Sequence, residues 1–183
     1  MFTVRIPRLF DGGVIEDAFH GTDSSAASTI AKRGFRLPER PTGQYGQAIY
    51  FFEGDYRAAA WYARKTIREK GIQDEPVVVR ARVELGRTLY LNLATGELER
   101  LRLNLEQRLK KEVTPNEACR VLCEALNRAE TVDSLKAVRS ANKQGVPPHF
   151  RAEVVVIVLN PKKVRVLEVL TLDEFKKETT LAV

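Results

Sequence analysis

Gly46-Gln47-Ala48-Ile49-Tyr50-Phe51-Phe52 runs on through Glu53-Gly54-Asp55-Tyr56 into Arg57-Ala58-Ala59-Ala60-Trp61-Tyr62-Ala63-Arg64, and its reading decides the rest of the chain. A glycine-punctuated loop feeds a short apolar strand, and a turn then feeds a helix. Tyr50, near the strand end, and Tyr62, one helix later, are spaced to face a common cleft and sandwich a flat ring. Aromatic residues at this spacing also fill ordinary cores, so the stretch alone leaves both readings open.

Upstream, Ala18-Phe19-His20-Gly21-Thr22 ends a short strand, and Asp23-Ser24-Ser25 supplies caps for a helix over about Ala26 to Lys32 that Gly34 closes. Phe35-Arg36-Leu37-Pro38-Glu39-Arg40-Pro41 reads as a loop, because each proline pushes its predecessor toward extended geometry. Residues 1–10 carry an edge strand, followed by the turn Asp11-Gly12-Gly13.

Downstream, the segment Val77 to Leu85 alternates from Val79 onward as a half-buried strand does, and Thr88 to Leu93 forms another. From Gly96 to about Ala129 the apolar period becomes helical, with Leu98, Leu101, Leu105 and Leu109, then a helix start at Thr114-Pro115-Asn116-Glu117. This predicts a helical insertion at about 95–130. Ser134 to Val138 is ambiguous, and Asn142 to His149 has the composition of an exposed loop. Ala152-Glu153-Val154-Val155-Val156-Ile157-Val158-Leu159 is the strongest strand, apolar enough to be central and buried on both faces. After the turn at Asn160-Pro161, Val164 to Leu170 is expected to be its partner strand. A glutamate at the head of a buried strand either points into water or sits in a cleft with a task, since an unpaired buried carboxylate is costly.

At 183 residues the chain fits one domain, and 44% hydrophobic with 30% charged residues describes a soluble globular protein. No apolar run reaches the length of a membrane span, and Met1 to Pro7 lacks the apolar core of a secretory signal, so the expected location is the cytoplasm, or a target-cell cytoplasm reached by a signal-less route. Cys119 and Cys123 lie four apart on one helix face and read as small buried residues. Two cysteines and two histidines in this arrangement give no zinc spacing, and no metal is expected. The net charge of +6 permits a polyanionic partner, although acidic and basic residues are interspersed as on a solvated surface.

His20-Gly21-Thr22, Gly34-Phe35-Arg36, Gly46 to Phe51, Ala60-Trp61-Tyr62-Ala63 and Ala152 to Val156 occur in the order and approximate spacing of a known family. The chain resembles the ADP-ribosyltransferases of the diphtheria-toxin and poly(ADP-ribose) polymerase branch, marked by histidine, tyrosine and glutamate on separate strands. The matches lie within residues 18–63 and 150–170, leaving 95–130 uncovered. The resemblance implies an α/β fold with a split, mostly antiparallel sheet, flanking helices and a helical insertion, all in one catalytic domain over 1–183. It implies an NAD-dependent mono-ADP-ribosyltransferase, a toxin or effector that modifies a macromolecular acceptor, protein or nucleic acid, and releases nicotinamide without a metal. A neutralising antitoxin or immunity partner is expected in that setting.

In this family reading His20 hydrogen-bonds the adenosine-side ribose, the backbone of Gly21 clamps the nicotinamide carboxamide, Thr22 and Arg36 hold the adenosine half and the pyrophosphate, Tyr50 and Tyr62 sandwich the nicotinamide, and Glu153 accepts from the nicotinamide ribose 2′-hydroxyl. Glycine at 21 then reads as room for a ligand to approach bare backbone. Three departures stand out. Ala58-Ala59-Ala60 occupies the place where polymerase relatives carry a serine. The step from Tyr50 to Tyr62 is one residue longer than the family's, which makes Trp61 a rival stacker. Arg151 stands two before Glu153, where arginine-modifying toxins carry glutamate or glutamine, and this speaks against an arginine acceptor. The tRNA 2′-phosphotransferases also use NAD and open with His-Gly-Thr, but their His-rich strand has no counterpart in Gly46 to Phe51. A non-catalytic NAD or ADP-ribose-binding module is the other alternative.

Overall fold

The structure, a computed structural model, describes residues 9–40, 46–92, 97–129, 132–140 and 152–172. In chain order the elements are β1 (Leu9–Asp11), β2 (Val14–Asp23), α1 (Ser24–Arg33), β3 (Ile49–Glu53), α2 (Tyr56–Lys70), β4 (Pro76–Glu84) and β5 (Arg87–Asn92). They continue with α3 (Glu97–Leu109), α4 (Pro115–Ala129), β6 (Ser134–Ser140), β7 (Ala152–Val158), a short 3-10 turn (Pro161–Lys163) and β8 (Val164–Thr171).

The helix ends follow their capping residues. Asp23 accepts from the backbone of Ala26 at 2.7 Å, Asp74 accepts from Ser25 N–H at 3.0 Å and from the Ser24 hydroxyl, and Gly34 N–H closes α1 on Ile30 O at 2.8 Å. These hydrogen bonds, the Ser24 hydroxyl first, hold the Asp74 carboxyl well below the usual carboxylate range. At α2, Asp55 accepts from Ala58 N–H at 2.9 Å and Gly71 turns out of the helix in the left-handed conformation.

The strands form one sheet in the order β1-β5-β6-β7-β3-β2-β4-β8, antiparallel at every seam except β5 with β6. The α/β class and the mostly antiparallel sheet agree with the sequence expectation. The ambiguous Ser134 to Val138 segment is strand β6, and Leu9–Asp11 is an edge strand whose preceding residues lie outside the described part. One expectation fails. Val164 to Leu170 does not pair with the apolar strand β7 but with β4, at the far edge of the sheet. The reason is competition for partners: β7 is occupied on both sides, by β3 and by β6.

Helices cover both faces. On one, α2 and α4 press Ala58, Ala59, Cys119, Cys123 and Leu126 onto Phe52, Val78, Leu135, Val155 and Ile157. On the other, Ala27 of α1 and Phe35 meet Ile15, Phe51, Val79, Val156 and Val158. Residues Val155 to Val158 are at most 1% exposed, as expected of a strand buried on both faces. The helices read as an insertion are therefore tied into the core through α4. Cys119 and Cys123 are buried thiols outside any disulfide, and burial pushes Cys123 up to about 12, which leaves it without nucleophilic character at neutral pH.

Candidate active site

Strand β2 meets β3 at only two positions, Ala18 opposite Glu53 and Phe19 opposite Phe52. Beyond them the strands part, while β2 continues along β4 to Asp23 and β3 continues along β7 to Ile49. The split expected of the sheet is this seam. At its closed end Gly54 N–H donates to Asp17 O at 2.8 Å, and the buried Oε2 of Glu53 is compensated by Lys136 Nζ at 2.5 Å.

His20 stands where the ladder stops. Its Nδ1 donates to Tyr50 O at 2.8 Å, so an imidazole spans the seam in place of a backbone bond. A carbonyl only accepts, which fixes the proton on Nδ1 and leaves Nε2 as an acceptor in the neutral ring. Phe35 meets the ring edge-on at 5.3 Å and Phe51 lies at 5.7 Å. Burial in this aromatic setting lowers the histidine pKa, opposed by the bond to Tyr50, and so keeps the ring neutral.

The two cross-seam bonds also set the direction of the backbone. In antiparallel strands the N–H and C=O of one residue point to the same side, and successive residues alternate. Gly54 and Tyr50 both address β2, so Phe52 does too, and Asp17, Phe19 and Gly21 address β3 in return. The N–H and C=O of Gly21 therefore face the open seam, where no described strand residue pairs with them. Gly21 is half-buried, within reach of solvent or a ligand.

Why glycine occupies position 21 needs a correction. A Cβ there would meet the carbonyl oxygen of Ala59 at 2.0 Å and Ala63 N at 3.0 Å. The missing side chain lets α2 lie directly on β2; it is not what gives a ligand access, because the backbone groups face sideways into the seam. The same packing accounts for Ala58, Ala59, Ala60 and Ala63, at most 4% exposed, where a larger residue would lift the helix away.

Tyr50 and Tyr62 are both half-buried against the core cluster on the α2 side. The Tyr50 hydroxyl donates to Gly46 O at 3.1 Å, which ties the strand to the loop before it. Tyr62 has Phe52 at 5.0 Å with planes tilted by 33°, and Trp61 edge-on at 5.0 Å. Lys65 lies over both Trp61 and Tyr62, at 5.2 and 5.8 Å, so the rival stacker and Tyr62 share one patch. A cavity of about 200 Å³ lined by Gln47, Cys123, Glu124 and Arg128 lies between the loop before β3 and α4.

The other expected residues are more dispersed. Thr22 is half-buried in β2 opposite Val77, and Arg36 is exposed on the loop after α1, next to the Phe35 that frames His20. Glu153 lies in β7 opposite Arg139, and its side chain is outside the described part. Ile157 pairs with Tyr50, so Glu153 is four residues further along β7, roughly 13 Å at strand rise. An extended ligand covers that span; a hydrogen bond between side chains does not. Phe35, Phe51, Phe52 and Ala59 complete the site and were not assigned roles from sequence. The pairing of Gly21 with an alanine run was the available signal for Ala59, whereas nothing local marks which phenylalanine frames which ring.

No protein-family model matches the sequence, and no curated protein matches it. Among solved structures the chain is similar to a chain of the M. tuberculosis MbcT–MbcA toxin–antitoxin complex, at 15% identity, 91% coverage of each chain and a TM-score of 0.48. The site rests on its own geometry. Among the described residues no cluster of three or more His, Cys, Asp or Glu is placed to hold a metal, and no helix is long and apolar enough to cross a membrane.

Proposed function

We propose that the protein is an NAD-dependent mono-ADP-ribosyltransferase. The observation that carries this reading is the backbone of Gly21: one donor and one acceptor, side by side, aimed into a seam that its neighbour strand has left. A primary carboxamide presents the complementary acceptor and donor on one planar group. Tyr50 and Tyr62 on the α2 face supply apolar rings for the flat heterocycle that bears it. The neutral His20 ring supplies an Nε2 acceptor for a ribose hydroxyl.

NAD supplies the bond that breaks, between ribose and nicotinamide, and positive charge builds on the sugar as it does. The chain's own part is to orient and to compensate. Gly21 and the tyrosines fix the angle of the departing ring, and the role left for Glu153 in this reading is to supply the carboxylate that offsets the charge developing on the sugar. If transfer poisons the host cell, a neutralising partner belongs to the same proposal.

Incubation with adenine-labelled NAD and cell lysate is expected to move label onto a macromolecule, whose class protease and nuclease digestion reveal. NAD binding without nicotinamide release would establish the non-catalytic module instead. Glu153→Gln keeps shape and removes charge; turnover should fall by about 10²–10³ while NAD affinity holds. A fully active Glu153→Gln protein would remove the assignment.

A further inference from the structure

We propose that a cleft at the β4–β8 edge is a phosphate-binding site that takes the phosphate backbone of a nucleic acid. The cleft, about 160 Å³, is lined by Arg82, Glu84, Lys162, Lys163, Val164 and Arg165. It lies at the opposite flank of β2 from the seam, and nothing in the NAD reading uses it.

Arg82 and Arg165 are directly opposite one another in the β4–β8 ladder. Like charges in that relation destabilise a sheet, and Glu16 offsets only the Arg82 member of the pair. The counterions are unevenly placed. Glu16 holds Arg82 at 3.1 Å, and Lys163 has Glu84 at 4.0 Å and the more distant charge of Asp133, while Arg165 and Lys162 make no ion pair with any described residue. Of the four cations, two are thus left without a carboxylate. Two guanidinium forks on neighbouring strands match the several oxygens of one phosphate, and the lysine pair in the adjoining turn is placed for the next.

The lining also argues for nucleic acid over an acidic protein. Val164 is its one apolar residue, and protein partners are anchored by buried aromatic or aliphatic side chains that find no pocket here. A repeating phosphate chain needs only a row of cations and is favoured by the overall charge of +6.

The test uses the whole chain without NAD, so its outcome is independent of the NAD reading. Anisotropy of a labelled single-stranded oligonucleotide is titrated over a range of salt, with inorganic phosphate and a polyglutamate peptide as competitors. The double variant Arg165→Ala with Lys162→Ala should lose about tenfold or more in affinity at low salt and show a shallower salt slope, by roughly 0.7 for each phosphate contact removed. Its melting temperature should equal or exceed the parent's, because the repulsion with Arg82 is relieved. The control Arg68→Ala with Lys70→Ala, exposed at the end of α2, should stay within about twofold of the parent. Equal losses in both variants would reduce the effect to net charge and overturn the site. So would competition by polyglutamate as strong as by unlabelled oligonucleotide. Displacement by millimolar inorganic phosphate alone would make it a free-phosphate site instead.

Discussion

Along its β4 flank, strand β2 is paired at eight positions from Val14 to Asp23, whereas along its β3 flank it is paired at two. The same backbone is a closed ladder on one side and an open seam on the other. On the closed side Val77, Val78 and Val79, each at most 3% exposed, pack both sheet faces and leave no backbone group to spare. On the open side the imidazole of His20 reaches across to Tyr50 O, and no described strand residue pairs with the backbone of Gly21. Function on this strand depends on which flank is asked: a backbone that is satisfied has nothing to offer a ligand.

The comparison is broken hardest at Gly21. Gly21→Ala drives a methyl into the Ala59 carbonyl and should cost about 3 kcal/mol in a urea titration, at the upper end for an overpacked core. It should abolish NAD binding as well, since the strand or the helix must move. Val78→Ala, opposite Gly21 on the closed flank, should also lose stability yet leave NAD affinity unchanged in the folded protein. Equal effects on NAD affinity would erase the distinction between the flanks.

His20→Ala removes the bond across the seam together with the contacts to Phe35 and Phe51, a loss of about 1–3 kcal/mol by the same titration. A pH series sharpens the point. Because the folded-state pKa of His20 lies below the ordinary histidine value, the unfolded chain binds more protons between the two. Stability should therefore be fully present above the ordinary value, about 6.5, and fall as pH drops toward the folded-state pKa. His20→Ala should flatten that part of the curve, and an unchanged slope would mean the ring is not held neutral.

Tyr50→Ala should weaken NAD binding by roughly 1–3 kcal/mol, the scale of a lost stacking platform, measured by calorimetry. The smallest effect expected is that of Tyr50→Phe, which keeps the ring and deletes the hydroxyl bond to Gly46, about 0.5–1.5 kcal/mol of stability with NAD affinity retained.

Local chemistry was legible in advance. Asp23 caps the helix it precedes, Gly34 ends it, and the apolar run from Val154 to Leu159 is the buried central strand. His20, Gly21 and Tyr50, chosen from sequence, converge on one seam through the bond from His20 to Tyr50. The reason for glycine at 21 was not legible, because it lies in α2, nearly forty residues away.

Sequence by itself therefore determined the elements and their ends, since periodicity, caps and turn residues act over a few positions. It also marked the residues rich in chemistry. Only the tertiary structure decided that β8 joins β4 instead of β7, that α4 enters the core, that the ladder beside β2 stops after Phe19, and that Gly21 faces α2 with its missing side chain and the seam with its backbone. Those outcomes are choices of partner and register between distant segments. They depend on which edges are already occupied and how closely backbones approach, and no short stretch of sequence carries that information.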